Sequence, residues 1–191
     1  YNWINEIKKH APRLRALVVE GNKTQRKYLW SYNIPIKICN YQLLTADKDI
    51  MPMQWDCIIA DEATAFKSSA TQTSQRIKKL NTHYAVAMTG TPLENQIMEL
   101  HSIFEFVREG LLGNRWEFRS RHVEFGFAGG INGYKNIPEL HEKISPFMLR
   151  RKKADVLKDL PDKIYEKIEI KLSREEELLY AKWRARVVRE I

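Results

Sequence analysis

The chain has 191 residues, 43% of them hydrophobic, enough for one full core and part of a second. Its 32 Lys and Arg outnumber 24 Asp and Glu for a net charge of +8, which favours polyanionic partners and equally fits a soluble protein with a basic surface. No apolar run approaches the roughly 20 residues of a membrane-spanning helix, and neither a membrane role nor a signal peptide is expected. Cys39 and Cys57 lie apart in apolar segments, which points to a reducing compartment rather than a disulfide framework or a zinc site. His10, His83, His101, His122 and His141 are scattered without ligand spacing.

Trp3, Ile4 and Ile7 share one face of a helix over residues 1–10, with Pro12 just beyond it. The chain opens on Tyr1 in mid-helix, as a fragment would. Ala16-Leu17-Val18-Val19 reads as a buried strand closed by Gly21, and Asn22 can cap a helix running to about Tyr32. After Pro35, residues 36–39 read as another short strand. Asn40-Tyr41-Gln42-Leu43-Leu44 follows, then a polar loop to Gln54. Residues 57–60 form a third strand, 67–70 a loop, 71–80 a polar helix and 84–88 a fourth buried strand. Ile97, Leu100, Phe104, Val107 and Leu111 then step by three and four along the best-patterned helix of the chain. This alternation predicts an α/β fold with a parallel sheet and right-handed crossovers, the strands near Val18, Ile38, Ile59 and Val86 being neighbours in one sheet.

The character changes after Gly110. Residues 115–125 are basic and aromatic and read as helical. They suit a helix that packs Trp116 and Phe118 with its arginines outward better than a nucleic-acid grip. Residues 126–133, with four glycines in eight positions, read as a loop. Residues 138–144 form a short helix. Phe147-Met148-Leu149 precedes four cations, Arg150 to Lys153, and Leu160-Pro161 breaks the chain. Ile164, Ile168 and Ile170 suggest a strand. Ser173 with Glu176 makes a capping box that opens a last helix, where Leu179, Trp183 and Val187 read as core or a contact with another lobe.

The chemistry gathers at residues 55–64, W-D-C-I-I-A-D-E-A-T. Cys57-Ile58-Ile59-Ala60 has no polar alternation, the pattern of a strand buried on both faces. Asp61 and Glu62 follow at its carboxyl end, where open α/β sheets place their ligands. An acid at that point can hold Mg²⁺, and a second beside it can deprotonate an attacking water. From these residues alone a solvated strand end fits as well. Gly21-Asn22-Lys23-Thr24 also lies between a strand and a helix. It is not the G-x-x-x-x-G-K-[S/T] that wraps phosphates in backbone N–H groups, because Ala16 stands where the first glycine should be. The sequence therefore shows a magnesium-and-base motif without a phosphate loop.

Three motifs stand in order: Asp61-Glu62-Ala63-Thr64, then Thr89-Gly90-Thr91-Pro92-Leu93-Glu94-Asn95, then Met148-Leu149-Arg150-Arg151-Lys152-Lys153 running to Leu160-Pro161-Asp162-Lys163. Together they closely resemble the Swi/Snf-type ATPases of helicase superfamily two, which show D-E-A-H, T-G-T-P-x-x-N and R-R-x-K…L-P-x-K in this order. Asn2-Trp3 with Glu6 resembles that family's N-W-x-x-E helix, Asn40-Tyr41 its T-Y element, and Lys67 the lysine after its acidic motif. N-I-P-E-L-H at 136–141 is similar to the annealing-helicase branch. The resemblance covers nearly the whole chain.

It implies a RecA-like parallel sheet flanked by helices, the cofactors ATP and Mg²⁺, and translocation along double-stranded DNA. By resemblance, Asp61 holds Mg²⁺ through its waters and Glu62 is the catalytic base. Thr64, Thr89, Gly90 and Thr91 couple nucleotide state to DNA grip. Asn40, Tyr41 and Lys67 lie near the DNA. Arg150 and Arg151 belong to the element joining two RecA-like lobes, near nucleotide or DNA. Thr64 replaces the usual histidine and is expected to reach towards Thr89 or Thr91. Asn40 replaces a threonine. The family's phosphate-binding lysine and second-lobe arginine fingers have no match here, so these residues alone are not expected to hydrolyse ATP.

The expected organisation is the C-terminal part of a first RecA-like lobe over 1–108, a helical insertion with a Gly-rich loop over 109–147, an Arg-Arg/Leu-Pro connecting element over 148–163, and a strand and helix leading towards a second lobe over 164–191. The expected partners are double-stranded DNA and that second lobe. The location follows DNA, in the nucleus of a eukaryote or the cytoplasm or nucleoid of a prokaryote or phage-infected cell. The alternative is a non-catalytic, basic DNA-binding or scaffold domain derived from such a lobe.

Overall fold

The computed structural model describes residues 2–91, 97–126, 129–151, 166 and 172–190, and of 185–190 the backbone alone. The chain divides into two compact units, Tyr1–Pro146 and Phe147–Ile191. In the first unit the order is α1 (Asn2–His10), β1 (Ala16–Val18), α2 (Lys23–Ser31), β2 (Ile36–Ile38), α3 (Leu43–Ala46), β3 (Gln54–Ala60), α4 (Gln72–Ile77) and β4 (Asn81–Ala87). It continues with α5 (Ile97–Val107), α6 (Arg115–His122), β5 (Val123–Phe125), β6 (Ile131–Tyr134) and α7 (Ile137–Ile144). Three-residue or four-residue 3-10 turns occupy Lys48–Ile50 and Ala63–Phe66.

Parallel pairing holds, but among the described residues the four strands do not form one continuous sheet. β1 pairs with β2, and β3 with β4, each in parallel register. One hydrophobic cluster unites the two pairs: Val19, Ala60, Leu44, Ile77 and Phe106 are among its buried members. The strands thus share a core without sharing a hydrogen-bond ladder.

The expected burial of β3 on both faces is corrected. Ile58 and Ala60, with Ala85 and Ala87 of β4, turn to the core. Cys57 is exposed on the other side, with Ile59 at 56% and Tyr84 at 71% exposure. The start of that second face is covered, Trp55 packing edge-on against Trp30 of α2 with ring centroids 6.2 Å apart, so it is the carboxyl half of a run that reads as uniformly apolar that stays open on one side.

Local signals account for most boundaries. Gly21 takes a left-handed φ of +93°, a conformation open to glycine at little cost. Asn22 then caps α2 in a reciprocal box with Gln25, Asn22 N donating to Gln25 Oε1 at 2.9 Å and Gln25 N to Asn22 Oδ1 at 3.0 Å, so Gly21-Asn22-Lys23-Thr24 is a helix cap. Asn114 and Glu117 make the same box on α6. The polar loop expected before Gln54 contains α3 and a 3-10 turn, because Leu43, Leu44 and Ile50 are buried and pull it into helical turns. The glycine-rich 126–133 is not wholly a loop: β6 begins within it and pairs antiparallel with β5, the last residues of the helix expected over 115–125.

α5 is buried on two sides rather than one. Ile103 and Phe106 join the first cluster, while Ile97, Leu100 and Phe104 join a second cluster with Phe118, Val123, Leu140 and others. Trp116 does not pack with Phe118 as expected. Phe118 is 1% exposed and Trp116 76%, since positions two apart on a helix point to different sides.

In the second unit, α8 (Arg174–Glu190) is capped as expected, Ser173 N donating to Glu176 Oε2 at 2.8 Å and Glu176 N to Ser173 Oγ at 3.4 Å. Leu179 and Trp183 are exposed rather than core. The expected strand around Ile164, Ile168 and Ile170, the Leu160-Pro161-Asp162-Lys163 segment, Lys152 and Lys153, and Pro92 to Asn95 lie outside the described residues. Among the described residues no helix is long and apolar enough to cross a membrane.

Candidate active site

β3 ends at Ala60, and the two acids follow at once. The ladder between β3 and β4 runs on past the strands: Met88 N donates to Ala60 O at 2.8 Å and Ala63 N to Met88 O at 2.9 Å. These bonds tie the acidic motif to the residue before Thr89. Glu62 turns the chain out of the strand with φ 50° and ψ 58°, a left-handed conformation that costs a non-glycine residue about 1 kcal/mol or more. The 3-10 turn that follows is anchored by buried Ala63 and Phe66. The carbonyl of Phe66 accepts from Ser102 Oγ of α5 at 3.0 Å. Lys78 Nζ donates to the same Ser102 hydroxyl at 2.9 Å and pairs with Glu105 at 2.7 Å.

Asp61 and Glu62 are both exposed. Asp61 is held at three points. Its Oδ1 accepts from Glu62 N at 3.0 Å, its Oδ2 from the Trp3 indole N–H at 3.0 Å, and its carbonyl from the Tyr41 hydroxyl at 2.6 Å. Burial, reinforced by the charge of Asp61, pushes the Tyr41 phenol up to about 12, so it stays a donor throughout the neutral range. The Trp3 contact spans 58 residues and is absent from the site read from sequence, where Trp3 marked a helix face and the N-W-x-x-E resemblance but was given no role at the acids. The N-W pair at the start of α1 was the signal that could have found it.

The other expected residues are placed as follows. Thr64 turns its hydroxyl back to Glu62 O at 3.5 Å, which corrects the expected reach towards Thr89 or Thr91: a short side chain finds the nearest carbonyl first. Thr89 Oγ1 accepts from Thr91 N at 3.1 Å, closing the turn after β4 around Gly90. Asn40 is exposed, and its Oδ1 accepts from Leu43 N at 3.2 Å. Lys67 faces α5, with Nζ 3.7 Å from Glu99. Arg150 and Arg151 are exposed in the second unit.

Among the described residues no three His, Cys, Asp or Glu side chains converge as a metal cage. The donor set nevertheless suits Mg²⁺, which keeps its waters and is held through one or two carboxylates together with substrate phosphates. Each Asp61 carboxylate oxygen has one protein donor and keeps acceptor capacity for a metal-bound water.

The SNF2-related domain profile matches residues 1–191. An uncharacterized ATP-dependent helicase of Mycoplasma genitalium, MG018, is 33% identical over 192 residues, covering 100% of this chain and 18% of that protein. The chromatin-remodeling ATPase INO80 of Cryptococcus neoformans is 33% identical over 206 residues, covering 98% of this chain and 12% of that one. Among solved structures, the Sulfolobus solfataricus SWI2/SNF2 ATPase core in complex with dsDNA matches with a TM-score of 0.70 at 35% identity, over 94% of this chain and 37% of that chain. The SWI2/SNF2 ATPase core domain of the same organism matches at 0.63 and 34% identity, over 100% and 39%. The chain spans less than a fifth of the length of these two curated relatives.

Proposed function

The chain belongs to the SNF2-related domain family, and we propose that it is part of an ATP-dependent translocase acting on double-stranded DNA, of the kind that remodels protein–DNA complexes or rewinds DNA. The observation that carries this reading is the hydrogen-bonded junction at the ends of β3 and β4, where Asp61 and Glu62 stand beside the Thr89-Gly90-Thr91 turn. The names of the relatives, a helicase and a chromatin-remodeling ATPase, and the dsDNA in the Sulfolobus complex support it.

On this reading Asp61 holds the waters of Mg²⁺, and Glu62 takes a proton from the water that attacks the γ-phosphate of ATP. Bound Mg²⁺ supplies neutralisation of phosphate charge. Thr64, Thr89, Gly90 and Thr91 relay nucleotide state to the DNA-facing residues Asn40, Tyr41 and Lys67. Arg150 and Arg151 serve the connection to a second RecA-like lobe of the same protein. We assign 1–108 to the first lobe, 109–147 to an insertion, 148–163 to the connecting element and 164–191 to the approach to the second lobe. The protein works where DNA is. Hydrolysis requires a phosphate loop that these 191 residues do not contain, so by themselves they do not turn over ATP.

The test is ATP hydrolysis with and without duplex DNA by the protein as naturally expressed, beside Glu62→Gln. DNA-stimulated turnover that falls by about 100-fold or more in the variant is the expected outcome for loss of a general base. Turnover untouched by the variant would move the base elsewhere. The net charge of +8 favours a second reading, a non-catalytic DNA-binding or scaffold domain. Absent turnover with duplex binding that weakens steeply in salt would select it.

A further inference from the structure

We propose that Trp3 is a positioning residue for Asp61: its indole N–H fixes the carboxylate in the orientation that receives the waters of Mg²⁺. The proposal rests on the role given to Asp61 above. An exposed aspartate otherwise samples several rotamers, and metal acids are held by outer partners that orient them. Here Oδ2 accepts from Trp3 Nε1 at 3.0 Å and Oδ1 from Glu62 N at 3.0 Å. One donor on each oxygen defines the carboxylate plane and leaves the remaining lone pairs for a metal-bound water.

The chemical type of the donor matters. An indole N–H is neutral and does not titrate, so it orients Asp61 without cancelling its charge. A lysine or arginine in the same place would compete with the cation. Lys67, the cation that follows the acidic turn, instead lies 3.7 Å from Glu99 on α5. The main chain of Asp61 is fixed separately, by Tyr41 at 2.6 Å. The grip of Trp3 is therefore on the carboxylate alone, and it comes from α1, the helix farthest from the acids in sequence among the elements that touch them.

The test uses the protein as naturally expressed with Trp3→Phe, which keeps a ring and removes the N–H, beside Asp61→Asn and Ile7→Ala. Ile7→Ala disturbs the apolar face of α1 with the indole intact. Mn²⁺ binding in the presence of a non-hydrolysable ATP analogue is read by electron paramagnetic resonance, and the Mg²⁺ half-saturation of turnover is read separately from KM for ATP at saturating magnesium. Trp3→Phe is expected to weaken Mn²⁺ binding about tenfold and to raise the Mg²⁺ half-saturation in step. KM at saturating magnesium and duplex affinity stay unchanged, and Ile7→Ala keeps Mn²⁺ affinity. Wild-type Mn²⁺ affinity in Trp3→Phe, with affinity lost in Asp61→Asn, would overturn the proposal and leave the role of Asp61 standing. Equal losses in Trp3→Phe and Ile7→Ala would reduce Trp3 to a helix-packing residue. Unchanged Mn²⁺ affinity in Asp61→Asn would remove the role of Asp61 and this proposal with it.

Discussion

The hydroxyl of Tyr41 donates to the backbone carbonyl of Asp61 at 2.6 Å, with the ring of Tyr41 6.0 Å from that of Phe66. A residue assigned to the DNA-facing side is thereby bonded to the main chain of the acid assigned to the metal. Tyr41→Phe keeps the ring contact and loses the bond. Its expected cost is about 1 kcal/mol, read as a lower urea midpoint with unchanged slope. The alkaline limb gives a second reading. A phenol raised to about 12 in the folded state contributes stability that is full below its unfolded value of about 10 and is lost as pH rises through the folded value. That portion of the alkaline loss should vanish in Tyr41→Phe.

Gly90 is not required by the fold. Its φ is not left-handed, and a Cβ added there meets no described atom within 4 Å. Gly90→Ala is therefore expected to change stability by less than about 0.5 kcal/mol while lowering DNA-stimulated turnover. A large drop in thermal midpoint would show instead that the glycine serves the turn itself.

Asp47 makes an acid-sensitive lock. Buried Asp47 accepts from Arg26 Nε at 2.8 Å and from its terminal nitrogen at 2.7 Å, and from the Trp30 indole at 2.9 Å. The hydrogen bonds from Arg26 hold its carboxyl below the usual value. The stability this supplies is present above the unfolded value of about 3.9 and disappears as pH falls through the folded one. Denaturant midpoints of the wild type should fall in that acid window. Asp47→Asn should flatten the dependence there and cost about 1.5 to 3 kcal/mol at neutral pH, the range for losing hydrogen bonds to a charged group. An unchanged acid slope in the variant would place the sensitivity elsewhere.

The two aromatics of α6 should behave oppositely. Phe118→Ala opens a cavity in the second cluster and is expected to cost about 3 to 5 kcal/mol. Trp116→Ala, at an exposed position, should stay within about 0.5 kcal/mol. Comparable losses at both, in parallel urea titrations, would contradict the burial described for α6.

Sequence carried the strand ends and the caps because these are local. The acids sit directly after the apolar run of β3, Asn22 and Ser173 satisfy N–H groups three residues on, and the motif order led to the family. What escaped it depends on distant chain. The reach of Trp3 to Asp61 crosses 58 residues. The half-open face of β3 depends on which elements lie over it, which the apolar run cannot encode. The hairpin of β5 and β6 escaped because glycine is permissive, and pairing with 123–125 overrode the loop reading. The turn of Thr64 back to Glu62 depends on a left-handed residue that glutamate rarely adopts.

α5 gives the molecule a load path. Phe104 and Leu100 grip the hairpin side, Ile103 and Phe106 grip the strands, and Ser102 holds the carbonyl of Phe66 at the end of the acidic turn. A push on β5, β6 or α7 reaches the turn through one stiff helix, without first bending a strand. The same arrangement narrows what drift can do: a shift of α5 that relieves a change in one core disturbs the other, so this helix is where compensating changes should be sought in pairs.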